Sequence, residues 1–436
     1  MSRSHKLFSL VVLTGLALAF FWWVGPRTPV DSPAPQVLTQ YADIAHATFG
    51  DAQAKAVELQ TAIEALLADP DRETLAAARQ AWRDARVPYM QTEVFRFGNP
   101  VVDEWEGAVN AWPLDEGLID YVAADYVHEG GNIAANANLI VDGASGSLTL
   151  GSDALDTGTI DAELLTRLNE YGGSEANVAT GYHAIEFLLW GQDLNGYDDG
   201  AGERPASDFA TGEGLCTNGP EPAAGSEACK RRGAYLATTA SKLVEDLNEM
   251  TRQWAPDVQD NYRQTLLALP EAEAMRRVFL GLGSLALGEL AGERMKVALI
   301  ANSPEDEHDC FSDNTHWSHF YNLRGIANVY RGRYETIAGQ TLEGASVQSL
   351  LEAQAPELAE QTSRALAVAR GKMQTLADTA ENGMRFDQMI APGNDEGART
   401  IRETIDALVV FAGRIEKAAS ALGLNDVEAD TAGHSF

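Results

Sequence analysis

At 436 residues the chain is long enough for about two domains of ordinary size, each with its own core. Its 64 acidic against 32 basic residues leave a net charge of −32. That balance repels nucleic acid and anionic membrane surfaces and suits cations as partners, although most of the carboxylates are expected to form an ordinary solvated surface.

In chain order, Arg3 and Lys6 precede an apolar run from Leu7 to Val24, which Gly25-Pro26 breaks and a Pro-rich stretch to Pro35 follows. This is an export segment. Ala17-Leu18-Ala19 offers a small-residue cleavage site, while the eighteen-residue run ending in Trp22 and Trp23 equally fits a short membrane anchor. Residues 1–36 are therefore read as signal or anchor plus linker, and any membrane contact is expected only there. The body is expected in the periplasm or at the cell surface.

The rest of the chain reads as all-α, with two helical-bundle-like domains at 37–232 and 233–436 and long irregular loops. Leu75, Trp82, Arg86, Tyr89 and Glu93 recur at intervals of three, four or seven. They predict a helix with a mixed apolar and charged stripe, which Pro88 would kink. Asp115 and Glu116 follow Trp112-Pro113, where adjacent carboxylates serve either as a capping turn or as oxygen ligands. Asn132 to Thr159 is a long stretch rich in Gly, Ser, Asn and Asp, of the kind that carries function or mobility.

Thr180-Gly-Tyr-His-Ala-Ile-Glu-Phe-Leu-Leu-Trp-Gly191 is the most informative segment. Ser174 stands where an N-cap would, Glu175 lies in the first turn, and Gly191 supplies the stop. Residues three apart share a helical face, so His183 and Glu186 point in nearly the same direction. A charged group and an imidazole in so apolar a run need partners. The ordinary alternative is a core histidine satisfied by the neighbouring glutamate, because two ligands alone do not make a metal site.

Asp193 to Arg232 is a second long loop. Within it Cys216 and Cys229 bracket a segment rich in Gly, Pro, Ala and Glu, which reads as a surface loop closed by a disulfide; pairings with Cys310 stay open, because sequence does not fix connectivity. Leu236, Leu243, Leu247, Met250 and Trp254 predict another bundle helix. From Glu271 to Leu299 a small-residue pattern carries Gly281, Gly283, Gly288 and Gly292, which would let another helix approach closely.

Pro304 to His319 holds three histidines and a run of acids within sixteen residues. His316 and His319 would share a helix face near Asp313, as a second metal site or a wall of the first. An elaborate helix-start turn is the alternative. Glu93, on the face of Arg86, is the most attractive partner for His183 and Glu186, although an ion pair with Arg96 would equally account for it. Hard oxygen ligands with imidazole suit iron, manganese, calcium or zinc.

Gly181-Tyr-His-Ala-Ile-Glu186 resembles the G-x-H-x-x-E signature of the imelysin (M75 peptidase) family, and the tracts Trp82 to Arg96 and Trp112 to Asp120 fit it as well. The block from Glu305 to Tyr334 is similar to the iron-regulated protein A branch. The resemblance implies an all-helical exported protein with a metal site around the H-x-x-E helix. His183 and Glu186 then carry over as ligands, followed by Glu93 and by Asp115, with Arg86, Glu116, Asp313 and His316 lining the pocket. It also implies a divalent or trivalent metal ion, iron foremost with zinc or calcium next, and components of an iron-uptake system as partners. The family name implies peptidase activity. H-E-x-x-H zinc peptidases, however, use two helical histidines around a glutamate base, whereas this helix has one histidine. Metal binding therefore ranks first, metal-dependent hydrolysis second and a metal-free helical adaptor at the membrane third.

Overall fold

The structure is a computed structural model that describes residues 33–128 and 130–436. The segment read as an export signal or anchor lies outside the described residues, and among those described no helix is long and apolar enough to cross a membrane. The first helix, α1 (Ala34–Ala68), is long enough to serve two cores. Its first half, from Ala34 to Phe49, packs in one apolar cluster, and its second half, from Ala52 to Leu66, packs in another. Next comes α2 (Arg72–Tyr89), which starts at a capping box: Asp71 accepts from the backbone of Glu73 and Thr74, and Thr74 answers through its hydroxyl. Leu75, Trp82, Arg86 and Tyr89 are all buried on it, as their spacing requires. The helix ends one residue beyond Pro88, whose ring removes a donor and crowds the preceding turn. Glu93 therefore leaves the helix and starts a separate 3-10 turn, Glu93–Phe95.

Three short helices follow: α3 (Pro100–Glu106), α4 (Ala162–Leu168) and α5 (Gly181–Trp190). Between α3 and α4 the long loop folds a small antiparallel pair, β1 (Ser147–Leu150) with β2 (Asp153–Asp156). The later loop holds β3 (Thr217–Asn218) paired with β4 (Glu221–Pro222) and leads into α6 (Glu227–Trp254). Leu236, Leu243, Leu247, Met250 and Trp254 are buried on α6 as expected. Cys216 and Cys229 are disulfide-bonded with Cα atoms 5.9 Å apart, and Cys310 is free. This loop is also fixed from inside. Arg204 and Arg232 both bind the Asp120 carboxylate, Asp208 bonds Arg204, and all four side chains are fully buried.

After α7 (Tyr262–Ala268), α8 (Glu271–Ser284) continues as a π-helix over Leu285–Val297 and ends in α9 (Ala298–Ala301). Close approach at the glycines here is real, but the neighbour is not another helix. A Cβ on Gly281 would come within 2.2 Å of the Val94 carbonyl, and one on Gly288 within 2.5 Å of the Asp430 carbonyl. A 3-10 turn and the C-terminal tail occupy the space that spacing alone assigned to a helix. The remaining elements are α10 (Thr315–Arg331), the pair β5 (Arg333–Glu335) and β6 (Thr341–Glu343), α11 (Val347–Gln354), α12 (Pro356–Glu381), α13 (Phe386–Ile390) and α14 (Asp395–Ala421).

Among the described residues the fold is thus all-α apart from three two-stranded pairs. One core gathers α1, α2, α5 and α6; the other gathers α8, the π-helix, α10, α12 and α14 with the start of α1. Residues on both sides of position 232 contribute to each. Where α1 and α6 leave one core for the other, Tyr41, Phe49, Phe95 and Trp254 pack edge-on, tilted or, for Phe49 on Trp254, stacked, with centroids 5.0 to 6.5 Å apart. Each such fully buried ring contributes about 1.5–3 kcal/mol of transfer free energy.

Candidate metal centre

Every residue of α5 is buried, so its imidazole and its carboxyl group must find partners inside the protein. The helix starts at Thr180 rather than Ser174, and the Thr180 hydroxyl donates to the Ala108 carbonyl instead of capping. What sets the start is Gly181. Its φ is +83°, and a Cβ there would lie 2.2 Å from the Val109 carbonyl oxygen, which accepts the Tyr182 amide at 2.8 Å. Only glycine permits that conformation and that approach together. Gly191, at φ +73°, ends the helix as its position predicts.

This placement brings His183 Nδ1 within 2.9 Å of Glu186 Oε2. The other oxygen of Glu186 accepts from the Ser312 backbone amide at 3.1 Å and from its hydroxyl at 2.6 Å. Both oxygens of Glu186 are therefore engaged, one on His183 and the other on Ser312. His183 Nε2 points away from the pair, buried and without a hydrogen-bond partner. A carboxylate holding one imidazole nitrogen so that the other faces a site is the arrangement that metal-ligating histidines need.

The groups beside the His183 ring come from the loop before α10. The His308 ring lies 4.9 Å from that of His183, and atoms of His183, His308 and Asp309 that can donate to a metal all lie within 4.8 Å of one another. Ser318 and Asn314 donate to Asp309 Oδ2, which fixes the carboxylate. Arg86 Nη2 bridges the pair: it is 2.8 Å from Asp309 Oδ1 and 3.2 Å from His308 Nε2. A guanidinium thus supplies the positive charge between an imidazole and a carboxylate. A metal ion taking the same lone pairs would exchange with that contact. His319, buried with both ring nitrogens unpartnered, stacks 6.4 Å from His308.

The electrostatics favour neutral imidazoles. Burial and then Arg86 pull His183 down to about 3, and burial with Arg294 holds His308 well below its ordinary range. Burial and the Asp309 charge push Glu186 well above the usual carboxylate range. Burial would raise Asp309 too, but Arg86, His183 and the hydrogen bonds from Ser318 and Asn314 together outweigh it and keep the carboxyl low. Two neutral imidazoles and one ionised carboxylate form a donor set suited to iron, zinc or manganese, so the residues present fit such an ion.

A cavity of about 550 Å³ ends at His308, Asn110 and Trp112. Its walls carry Asp103, Glu104, Glu106, Glu170, Glu175, Glu289 and Glu293 against only Arg96 and Arg294. Burial pushes Glu106 up to about 7. A concave surface lined with one sign of charge concentrates the opposite ion. The π-helix supplies Glu289 and Arg294 to this wall.

The residues singled out from sequence go to different places. Arg86 stands inside the cluster. Glu93 is buried but pairs with Arg294 Nη2 at 2.7 Å, and Arg294 is held in turn by Glu289 and Asn322. Asp115 accepts from Tyr126 and Asn132, one on each oxygen, and its neighbour Glu116 is buried and pushed up to about 8 by desolvation and Glu305. His316 binds Glu381 at 2.9 Å and, with Asp313, lines a separate cavity of about 390 Å³. Burial lowers His316 to about 4. Sequence reasoning passed over His308 and Asp309, although both lie in the histidine- and acid-rich block. The signal was their concentration in sixteen residues; attention to α10 alone favoured His316.

The imelysin model of peptidase family M75 matches residues 45–414. Iron-regulated protein A of Synechococcus elongatus is 24% identical over 338 residues, which make up 76% of this chain and 72% of that protein. A crystal structure from Parabacteroides distasonis ATCC 8503, described as an iron-regulated protein A precursor, matches with a TM-score of 0.59 at 16% identity. It covers 88% of this chain and 94% of that one, a likeness that bears on the fold alone.

Proposed function

The chain belongs to the imelysin family, and on that premise we propose that it is an exported metal-binding protein of bacterial iron acquisition or homeostasis. The ion is held between His183 on α5 and His308 and Asp309 on the facing loop. The observation that carries this reading is His183, buried, held by Glu186 through Nδ1 with its Nε2 unpartnered, and lying with a second imidazole and a carboxylate inside the span of one metal ion. Iron is the first candidate, because the donors are nitrogen and hard oxygen and the related Synechococcus elongatus protein is named as iron-regulated. The acidic cavity gives a cation its approach. Glu93 and Asp115 are not part of this ligand set, since each is committed elsewhere.

Metal-dependent hydrolysis, which the M75 name suggests, is the second reading. It is disfavoured at the signature carboxylate, because Glu186 is engaged on both oxygens. Chelator-sensitive proteolysis of unfolded substrates would reverse this ranking.

The test is metal analysis and calorimetric titration of the purified protein with ferrous iron, zinc and manganese, beside His183→Ala/Glu186→Ala and His308→Ala variants. Binding by the wild type that both changes abolish, with near-ultraviolet circular dichroism retained, is the expected result. Equal metal uptake by all three proteins would end the assignment.

A further inference from the structure

The loop that carries His308 and Asp309 gathers a second set of groups on its other side. Glu307 and Asp313 from this loop meet Asp387 on α13, with one oxygen of each inside a span of 4.8 Å. The residues are 1%, 8% and 1% exposed, respectively. Glu307 Oε1, Asp313 Oδ1 and both oxygens of Asp387 are buried without a hydrogen-bond partner. The Thr315 side chain beside Glu307 and the Asp387 and Gln388 amides beside Asp387 favour the ionised forms, against the larger opposing effect of burial.

Among the described residues no cationic side chain pairs with any of the three. Arg385 feels Asp313 at a distance but bonds Glu381 and His316, and Arg83 donates to the Ser312 carbonyl. The contrast with the first cluster is direct: there Arg86 is paired with Asp309, whereas here, among the described residues, no cation is paired with the three buried acids and Arg385 and Arg83 act on Asp313 only from a distance. Buried carboxylates without a counter-charge are costly, and a bound cation removes that cost.

The set is oxygen only. Calcium bonds such oxygens at about 2.3–2.6 Å, so ligand atoms around one calcium ion lie no more than about 5 Å apart, which the 4.8 Å span satisfies. Imidazole- or thiolate-seeking metals find no preferred donor among the three acids. We propose that Glu307, Asp313 and Asp387 bind one hard divalent cation, calcium by donor type and spacing. This site is separate from the His183 cluster and does not depend on that cluster's function. Because Glu307 immediately precedes His308, a cation here also clamps to α13 the loop that presents the first site.

Calcium titration by calorimetry and equilibrium dialysis, at neutral pH in chelator-treated buffer, tests this on the full chain. The wild type is expected to take up one calcium, and a His183→Ala/His308→Ala protein is expected to do the same. Asp387→Asn should lower the affinity about tenfold or more, since calcium affinity follows the count of charged ligands. Asp313→Asn serves as a second variant should the first fail to fold, and calcium should raise the thermal midpoint of the wild type but not of either asparagine variant. No stoichiometric uptake at millimolar calcium would overturn the proposal. So would uptake unchanged by both asparagine variants, or uptake lost with His183 and His308.

Discussion

Replacing Asp120 with asparagine is expected to destabilise the protein by several kcal/mol although Asp120 lies outside the candidate site. Oδ2 accepts from Arg204 Nη1 at 2.7 Å and Arg232 Nε at 2.6 Å, and Oδ1 accepts from Arg232 Nη2 at 3.0 Å. With Asp208 the group balances two guanidinium ions against two carboxylates, all fully buried. Asparagine leaves two positive charges facing one negative one and can keep only part of the hydrogen bonding. Breaking a buried pair in this way costs about 3–5 kcal/mol. Asp43→Asn is the control: its pair with Arg263 is 39% exposed on the carboxylate side, and loss of such a pair costs about 1 kcal/mol or less. Urea unfolding at pH 7 measures both. The sign with pH follows from the shift. Burial opposes ionisation of Asp120, but Arg204 and Arg232 outweigh it and hold its pKa below the ordinary 3.8. Its stabilisation is therefore complete above that value and fades as pH falls through the folded-state pKa, so the wild type and Asp120→Asn converge in acid. A difference below about 1 kcal/mol at pH 7 would refute the reasoning.

Two further predictions concern the elements that frame α5. Gly181→Ala combines a left-handed backbone with a collision at the Val109 carbonyl, so a loss of about 3 kcal/mol or more is expected in urea unfolding, with weaker metal uptake where the protein still folds; unchanged stability would show that the turn is not strained. Glu116 rises from 4.5 to about 8 on folding, so the native state keeps a proton that the unfolded chain has released, and stability falls as pH rises from 4.5 toward 8. Glu116→Gln removes that penalty and is expected to be stabilising by about 3 kcal/mol at pH 7 relative to its effect at pH 4; an effect independent of pH would contradict the assigned shift.

How much of this could be read from the chain depends on the range of each interaction. Helix periodicity is local, and it placed the buried faces of α2 and α6 correctly because Leu75 and Trp82, or Leu236 and Trp254, need only a neighbouring core. The pairing of His183 with Glu186 was legible for the same reason, since one helical turn separates them. Glu93 was not: the stripe extended across Pro88, but the missing donor ends the helix and lets Arg294, 201 residues away in sequence, claim the carboxylate. The partners of His183 are similarly remote. His308 and Asp309 reach it only because Glu186 ties α5 to Ser312, 126 residues onward, and Arg86 ties α2 to Asp309. The signature pairs one imidazole with its carboxylate, and the fold decides which other groups surround that imidazole. Substitutions at Ser312 should therefore disturb the site as surely as changes to its ligands, through the carboxylate that turns His183 toward them.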